Sequence, residues 1–186
     1  CVSIGVTYKG ECVVGVVYAP YLDELYTAVK GEGAWFGKAG EVSDGNYELC
    51  IMNYELKRKR LHVSQKKSLK ECVVASGFPY DKATHPINNI REVGIVIPQV
   101  RGFRRMGSAA YDLCCTAMGT IDAYWEFNLN LWDVCAGQLI VREAGGQDIV
   151  TSSGGVEFSA DLETAYRFCM WTRSATRLLV LVHMYD

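Results

Sequence analysis

Ala123-Tyr124-Trp125-Glu126, then Phe127-Asn128-Leu129-Asn130-Leu131-Trp132-Asp133, then Val134-Cys135-Ala136-Gly137-Gln138-Leu139-Ile140-Val141-Arg142-Glu143-Ala144-Gly145-Gly146 is the stretch on which the fold turns. Ile121 to Glu126 reads as a strand, because aromatic and β-branched residues crowd a run too short for a helix. Asp133 to Ala144 carries helical apolar spacing and stops at a glycine pair, and Gln147 to Val150 returns to strand. The link places two carboxylates six residues apart, where a strand ends and a helix begins. Unpaired N–H groups and the dipole at a helix start favour an ionised Asp133, while Glu126 at the strand end can face the same mouth. Such a pair can hold a hard cation and a hydroxylated ligand together. It is equally a capping aspartate beside an unrelated surface glutamate.

Upstream, Val2, Ile4, Val6 and Tyr8 alternate, Lys9-Gly10-Glu11 turns, and Cys12, Val14, Val16 and Tyr18 alternate again, which predicts an antiparallel hairpin. Pro20 ends it, and Leu25 to Val29 adds a third strand. Gly31-Glu32-Gly33 then turns the chain into Ala34-Trp35-Phe36. The Gly31-x-Gly33-x-x-x-Gly37 spacing does not match a dinucleotide loop and lacks a following helix, so a hairpin turn is expected. Residues 38–61 are polar and irregular, and their basic run Lys57-Arg58-Lys59-Arg60 reads as a solvated loop. Leu69 to Ala75 reads as a buried strand. Pro86 opens a helix with Ile87, Ile90, Val93 and Ile97 inward, ending near Pro98. Phe103 to Arg105 is a short strand, and Ser108 to Met118 a helix stopped by Gly119. Hairpins first, then strand–helix alternation, predict a layered mixed α/β architecture.

The totals narrow the function. A chain of 186 residues, with 22% charged residues and a net charge of −2, suits one cored globular domain. That charge gives no reason to expect a nucleic-acid or membrane partner. No apolar run approaches the roughly 20 residues of a membrane span. The eight cysteines form no C-x-x-C pair, and Cys12, Cys72, Cys114, Cys115 and Cys135 fall in apolar strand or helix patterns, consistent with reduced thiols and a cytoplasmic setting. His62, His85 and His183 stand apart, so no zinc-hydrolase spacing exists. Ser108 has no histidine base to activate it and reads as a helix-starting serine.

Taken together, Arg105-Met106-Gly107-Ser108-Ala109-Ala110-Tyr111-Asp112-Leu113, Gly119-x-x-Asp122-Ala123-Tyr124-Trp125-Glu126, Trp132-Asp133 and Glu143-Ala144-Gly145-Gly146 resemble the C-terminal half of the inositol monophosphatase family. Weaker similarity runs back through Ser76-Gly77-Phe78-Pro79 and Gly31-x-Gly33-Ala34-Trp35 to residue 1. The resemblance implies an α-β-α-β-α sandwich of the sugar-phosphatase type with its N-terminal part missing. It implies hydrolysis of phosphate monoesters by magnesium-activated water, lithium sensitivity and a homodimer. Asp133 would coordinate Mg2+ near the leaving oxygen, Glu126 would accept hydrogen bonds from inositol hydroxyls, and Gly107, Ser108 and Ala109 would contact the polyol ring. The family's Gly-Glu-Glu segment and Asp-Pro-x-Asp-Gly-Thr loop, which supply most metal ligands and orient the attacking water, do not occur here.

The chain, starting at Cys1 inside a strand-like run, therefore reads as one incomplete domain: a hairpin region over 1–37, an insertion over 38–61, a mixed α/β part over 62–155 and an atypical tail over 156–186. The parent protein is expected to be an inositol-1-phosphate phosphatase. A sugar, nucleotide or histidinol phosphatase of the same superfamily, or a non-catalytic truncated form, are the alternatives.

Overall fold

A computed structural model describes residues 1–40, 57–86, 88–150 and 156–159. Strands β1 (Val2–Tyr8), β2 (Glu11–Ala19), β3 (Glu24–Val29), β4 (Gly33–Gly37) and β5 (Lys59–Arg60) form an antiparallel sheet in sequential order. The second sheet contains β6 (Val73–Ser76), β7 (Gly102–Arg104), β8 (Ala123–Glu126), β9 (Gln147–Val150) and β10 (Val156–Ser159), in the order β7-β6-β8-β10-β9. Here β6 runs parallel to both β7 and β8, whereas β10 is antiparallel to its neighbours. Helices α1 (Ile90–Val96), α2 (Ala109–Ala117) and α3 (Leu131–Glu143) complete the described chain. Helix α3 packs on β1 to β4 and on α2, and α2 in turn meets β8, so a helix pair lies between the sheets. The expected mixed α/β layering is present, and the described residues supply sheet, helices and sheet.

The two helices are apolar almost all round, which is what a layer covered on both sides requires. Leu113, Cys114, Ala117, Ala136, Leu139, Ile140 and Val141 are all buried. Close approach depends on missing side chains. Gly5 and Gly15 are cross-strand partners, and a β-carbon on either would strike α3, at Cys135 and Ala136 respectively. Gly137 plays the same part between α3 and Leu113 of α2. A Gly15→Ala substitution would put its methyl 2.7 Å from the Ala136 carbonyl oxygen, which is backbone and cannot rotate aside. We expect it to destabilise the domain by about 1–3 kcal/mol, as a shifted midpoint in urea unfolding with an unchanged slope.

The same packing decides which side of the hairpin faces in. Val2, Ile4, Val6 and Tyr8 do alternate as expected, but that row is the outer face, each residue being at least half exposed. The inner face holds the glycines, because α3 lies there.

Four sequence expectations need correction. The strand expected over Leu69 to Ala75 begins only at Val73; Leu69–Glu71 is a single 3-10 turn closed by a Glu71 N–H to Ser68 carbonyl bond. The helix expected from Pro86 starts at Ile90, and its inward residues are Val93 and Val96, while Ile90 and Ile97 are exposed. Its N-cap, Asn89, has φ 68°, which lets its side chain turn into the core instead of capping. Ile87 lies outside the described residues. The basic run is no mere solvated loop: Lys59 and Arg60 form β5, and the Arg58 and Arg60 guanidinium groups lie 4.3 and 5.8 Å from the Trp35 ring centre. A cation over an aromatic face is attracted to the ring's negative quadrupole. Finally, α3 begins at Leu131, two residues before the expected start.

The Gly31–Gly33 turn is the hairpin turn expected, and both its amides donate to the Glu143 carboxylate at 2.8 Å, tying the β3–β4 turn to the end of α3. Cys1, Cys12, Cys72, Cys114, Cys115 and Cys135 are free thiols. Residues 41–56 of the 38–61 segment, and the tail beyond Ser159, lie outside the described residues. No helix among the described residues is long and apolar enough to cross a membrane.

Candidate active site

The carboxyl end of β8 delivers Glu126. Tyr124 and Glu126 share a strand face, and the Tyr124 hydroxyl donates to Glu126 Oε2. Burial raises the Glu126 pKa above the usual carboxylate value. The Tyr124 hydrogen bond and the Arg105 guanidinium pull it back, while the Asp133 charge adds to the rise.

Asp133 comes from the first turn of α3. Its Oδ2 accepts the Asn130 backbone N–H at 3.0 Å, while the Asn130 side chain accepts from the Asp133 amide, forming a reciprocal capping box. Asn130, not Asp133, is therefore the N-cap residue. The capping reading of Asp133 holds in part, because one oxygen serves the helix; Asp133 also lines the cleft described next.

Gly107 turns the chain with φ 88° into Ser108, the N-cap position of α2. The Ser108 hydroxyl makes no cap hydrogen bond; it lies 3.2 Å from Cys1 Sγ instead.

All five residues singled out by sequence, Gly107, Ser108, Ala109, Glu126 and Asp133, line one cleft of about 700 Å³. Three separate segments thus converge on it: the turn before α2, the end of β8 and the start of α3. The structure adds residues that sequence reading left out. The loop Phe78-Pro79-Tyr80-Asp81, Arg105 and Trp132 are among them, and the Phe127 to Asn130 stretch next to Glu126 also forms wall. Tyr80 and Trp132 stand exposed on the rim.

Asp112 was also missed. It is 1% exposed on α2, and its Oδ1 has no hydrogen-bond partner. Burial first, and the neighbouring Glu126 charge second, push its pKa up to about 7, against the pull of Arg105 and the Ser108 amide. An aspartate amid Ala110, Leu113 and Cys114 was the available signal, because an acid in an apolar helical stripe is buried or misplaced.

Oxygen donors of this kind suit a hard cation such as Mg2+, which keeps several of its waters. Asp133 fits as one ligand. Among the described residues no group of three His, Cys, Asp or Glu side chains is placed to hold a metal ion together.

Comparison with known proteins accords with this geometry. The sequence model of the inositol monophosphatase family matches residues 1–175. The chain is 41% identical over 145 residues to the Nus factor SuhB of Pasteurella multocida, and 37% identical over 145 residues to the inositol-1-monophosphatase of Mesorhizobium japonicum. Each alignment covers 78% of this chain and 47% of the relative, so the chain spans about half the length of these curated relatives. The solved structure of Mycobacterium tuberculosis SuhB superposes with a TM-score of 0.71 at 30% identity, covering 92% of this chain and 63% of that one. The chain belongs to the inositol monophosphatase family.

Proposed function

We propose that the protein containing this chain is a magnesium-dependent phosphatase of polyol phosphate monoesters, with myo-inositol 1-phosphate as its substrate. The supporting observation is the convergence of Glu126, Asp133 and the Gly107–Ala109 turn on one cleft. A phosphate monoester carries charge that repels an attacking water and spreads over its outer oxygens in the transition state. Mg2+, when bound, supplies neutralisation of that charge. In this reading Asp133 would hold the ion on the leaving-group side, with its cap keeping the carboxylate in a fixed rotamer. Glu126, restrained by Tyr124, accepts hydrogen bonds from ring hydroxyls, and the Gly107 to Ala109 backbone meets the ring at the start of α2. A homodimer and a cytoplasmic setting belong to the same proposal and rest on the family resemblance and the thiol content.

The exposed aromatic rim of Tyr80 and Trp132 favours a second substrate class, a nucleotide phosphate whose base would stack there. Phosphate release by the protein containing this chain, measured on inositol, sugar, histidinol and nucleotide phosphates with and without magnesium, tests both readings. The expected result is magnesium-dependent release, greatest on inositol 1-phosphate. Equal rates in the presence of a metal chelator would overturn the proposal.

A further inference from the structure

Gly77 follows β6 directly and is buried beside the cleft. Its φ lies outside the left-handed region, so its backbone would accept any residue. What requires glycine is space: the nearest atoms to a β-carbon built there are the three atoms of the Glu126 carboxylate, all in overlap. The parallel pairing of β6 with β8, Ser76 opposite Trp125, brings the two residues together across the sheet.

The Gly77 backbone cannot withdraw from this contact. Asn89, fully buried, donates to the Gly77 carbonyl at 2.6 Å and to Ser76 Oγ at 2.7 Å. Ser76 Oγ donates to the Trp125 carbonyl at 2.6 Å, and Trp125 Nε1 donates back to Asn89 Oδ1 at 2.7 Å. This closed ring leaves none of its side-chain polar groups unpaired, and buried networks of that kind are rigid because breaking one bond strands its partner. The Glu126 carboxylate, at the end of a flexible side chain, is the part that would move.

We infer that Gly77 is a positioning residue: its missing β-carbon is the space the Glu126 carboxylate occupies, and the Ser76–Asn89–Trp125 ring keeps that space open so that Glu126 meets substrate hydroxyls. The inference rests on the proposed role of Glu126 as hydroxyl acceptor. A methyl at position 77 swings the carboxylate away while leaving the fold intact, since only a side-chain end has to yield.

The test is a double-mutant cycle in the full-length parent, assayed on myo-inositol 1-phosphate with magnesium. Gly77→Ala is expected to raise KM roughly 10-fold or more, the effect of losing a hydrogen bond to a charged acceptor, with a smaller change in kcat. Glu126→Ala raises KM similarly, and adding Gly77→Ala to it changes KM less than about twofold, because the two act through one carboxylate. A Gly77→Ala enzyme with wild-type KM overturns the inference, as does an equal effect of Gly77→Ala with and without Glu126. Should the single variant fail to fold, the double variant, which lacks the struck carboxylate, folds; an unfolded double variant also overturns it. A wild-type parent that hydrolyses no polyol phosphate removes the functional reading itself, and this inference with it.

Discussion

Asp133→Asn in the full-length protein is expected to lower magnesium-dependent phosphate release at least about 100-fold, because in the proposed role of Asp133 a ligand charge beside the leaving oxygen is lost. The substitution separates the two duties of this side chain. Asparagine retains an oxygen that can accept the Asn130 N–H, so the capping box survives in part. A cap alone contributes on the order of 1 kcal/mol, and the variant's unfolding midpoint should move by no more than that implies. A large loss of turnover with a small loss of stability is the expected pair of results. Raising magnesium should recover part of the rate if the ion is bound more weakly. Wild-type turnover in Asp133→Asn would remove the metal assignment. A loss of turnover matched by gross unfolding would show that Asp133 serves the helix alone.

Asp112→Asn is expected to stabilise this chain at pH 8 by roughly 2–4 kcal/mol and to leave it little changed at pH 4. The folded carboxyl, with its pKa raised to about 7, holds its proton after the unfolded one has lost it near the usual value of about 4. Between those limits the folded state binds more protons than the unfolded state. Stability from this group is therefore full below about pH 4 and falls as pH rises towards about 7, where the buried carboxylate must ionise. Asparagine has the same shape and no charge, so it removes that fall. Urea unfolding of wild type and variant at several pH values gives two curves that converge in acid and separate through neutrality. Parallel curves would show that Asp112 is not the buried acid responsible.

These two aspartates differ in how far they could be read from the sequence. Asp133 stood out because Trp132-Asp133 introduces an apolar run that ends in Gly145-Gly146, a local pattern that marks a helix and its first turn. Even so, the helix begins at Leu131, and the cap is Asn130. Asn130 is a good N-cap type, but Leu131 and Trp132, about two-thirds exposed, sit outside the core that the apolar run marks. Asp112 was passed over because its apolar neighbours Ala110, Leu113 and Cys114 signal burial but not the charged groups it meets there. Its environment is made by Glu126 and Arg105, brought in from a strand and a loop.

The helix before β7 shows the same limit. Its apolar spacing placed Ile87, Ile90, Val93 and Ile97 inward. The structure buries Val96 instead, since Asn89 is pinned in the hydrogen-bonded ring with Ser76 and Trp125 and so sets the helix's rotation. The outer row of β1 follows the same logic. A strand's alternation states that two faces differ, not which one the helix layer will cover.

Local chemistry along the chain was thus enough to specify most of the strands and helices, the glycines that end them, and which polar residues cluster near their ends. Those features depend on backbone sterics and on spacing within a few residues, and they persist whatever the rest of the molecule does. Folding in three dimensions alone decided that α3 seats on the Gly5–Gly15 pair, that three distant segments share one cleft, and that Gly77 makes room for Glu126. Each of these is a contact between residues far apart in the chain. Close packing, which tolerates neither an added methyl nor a void, selects among the arrangements that local pattern leaves open.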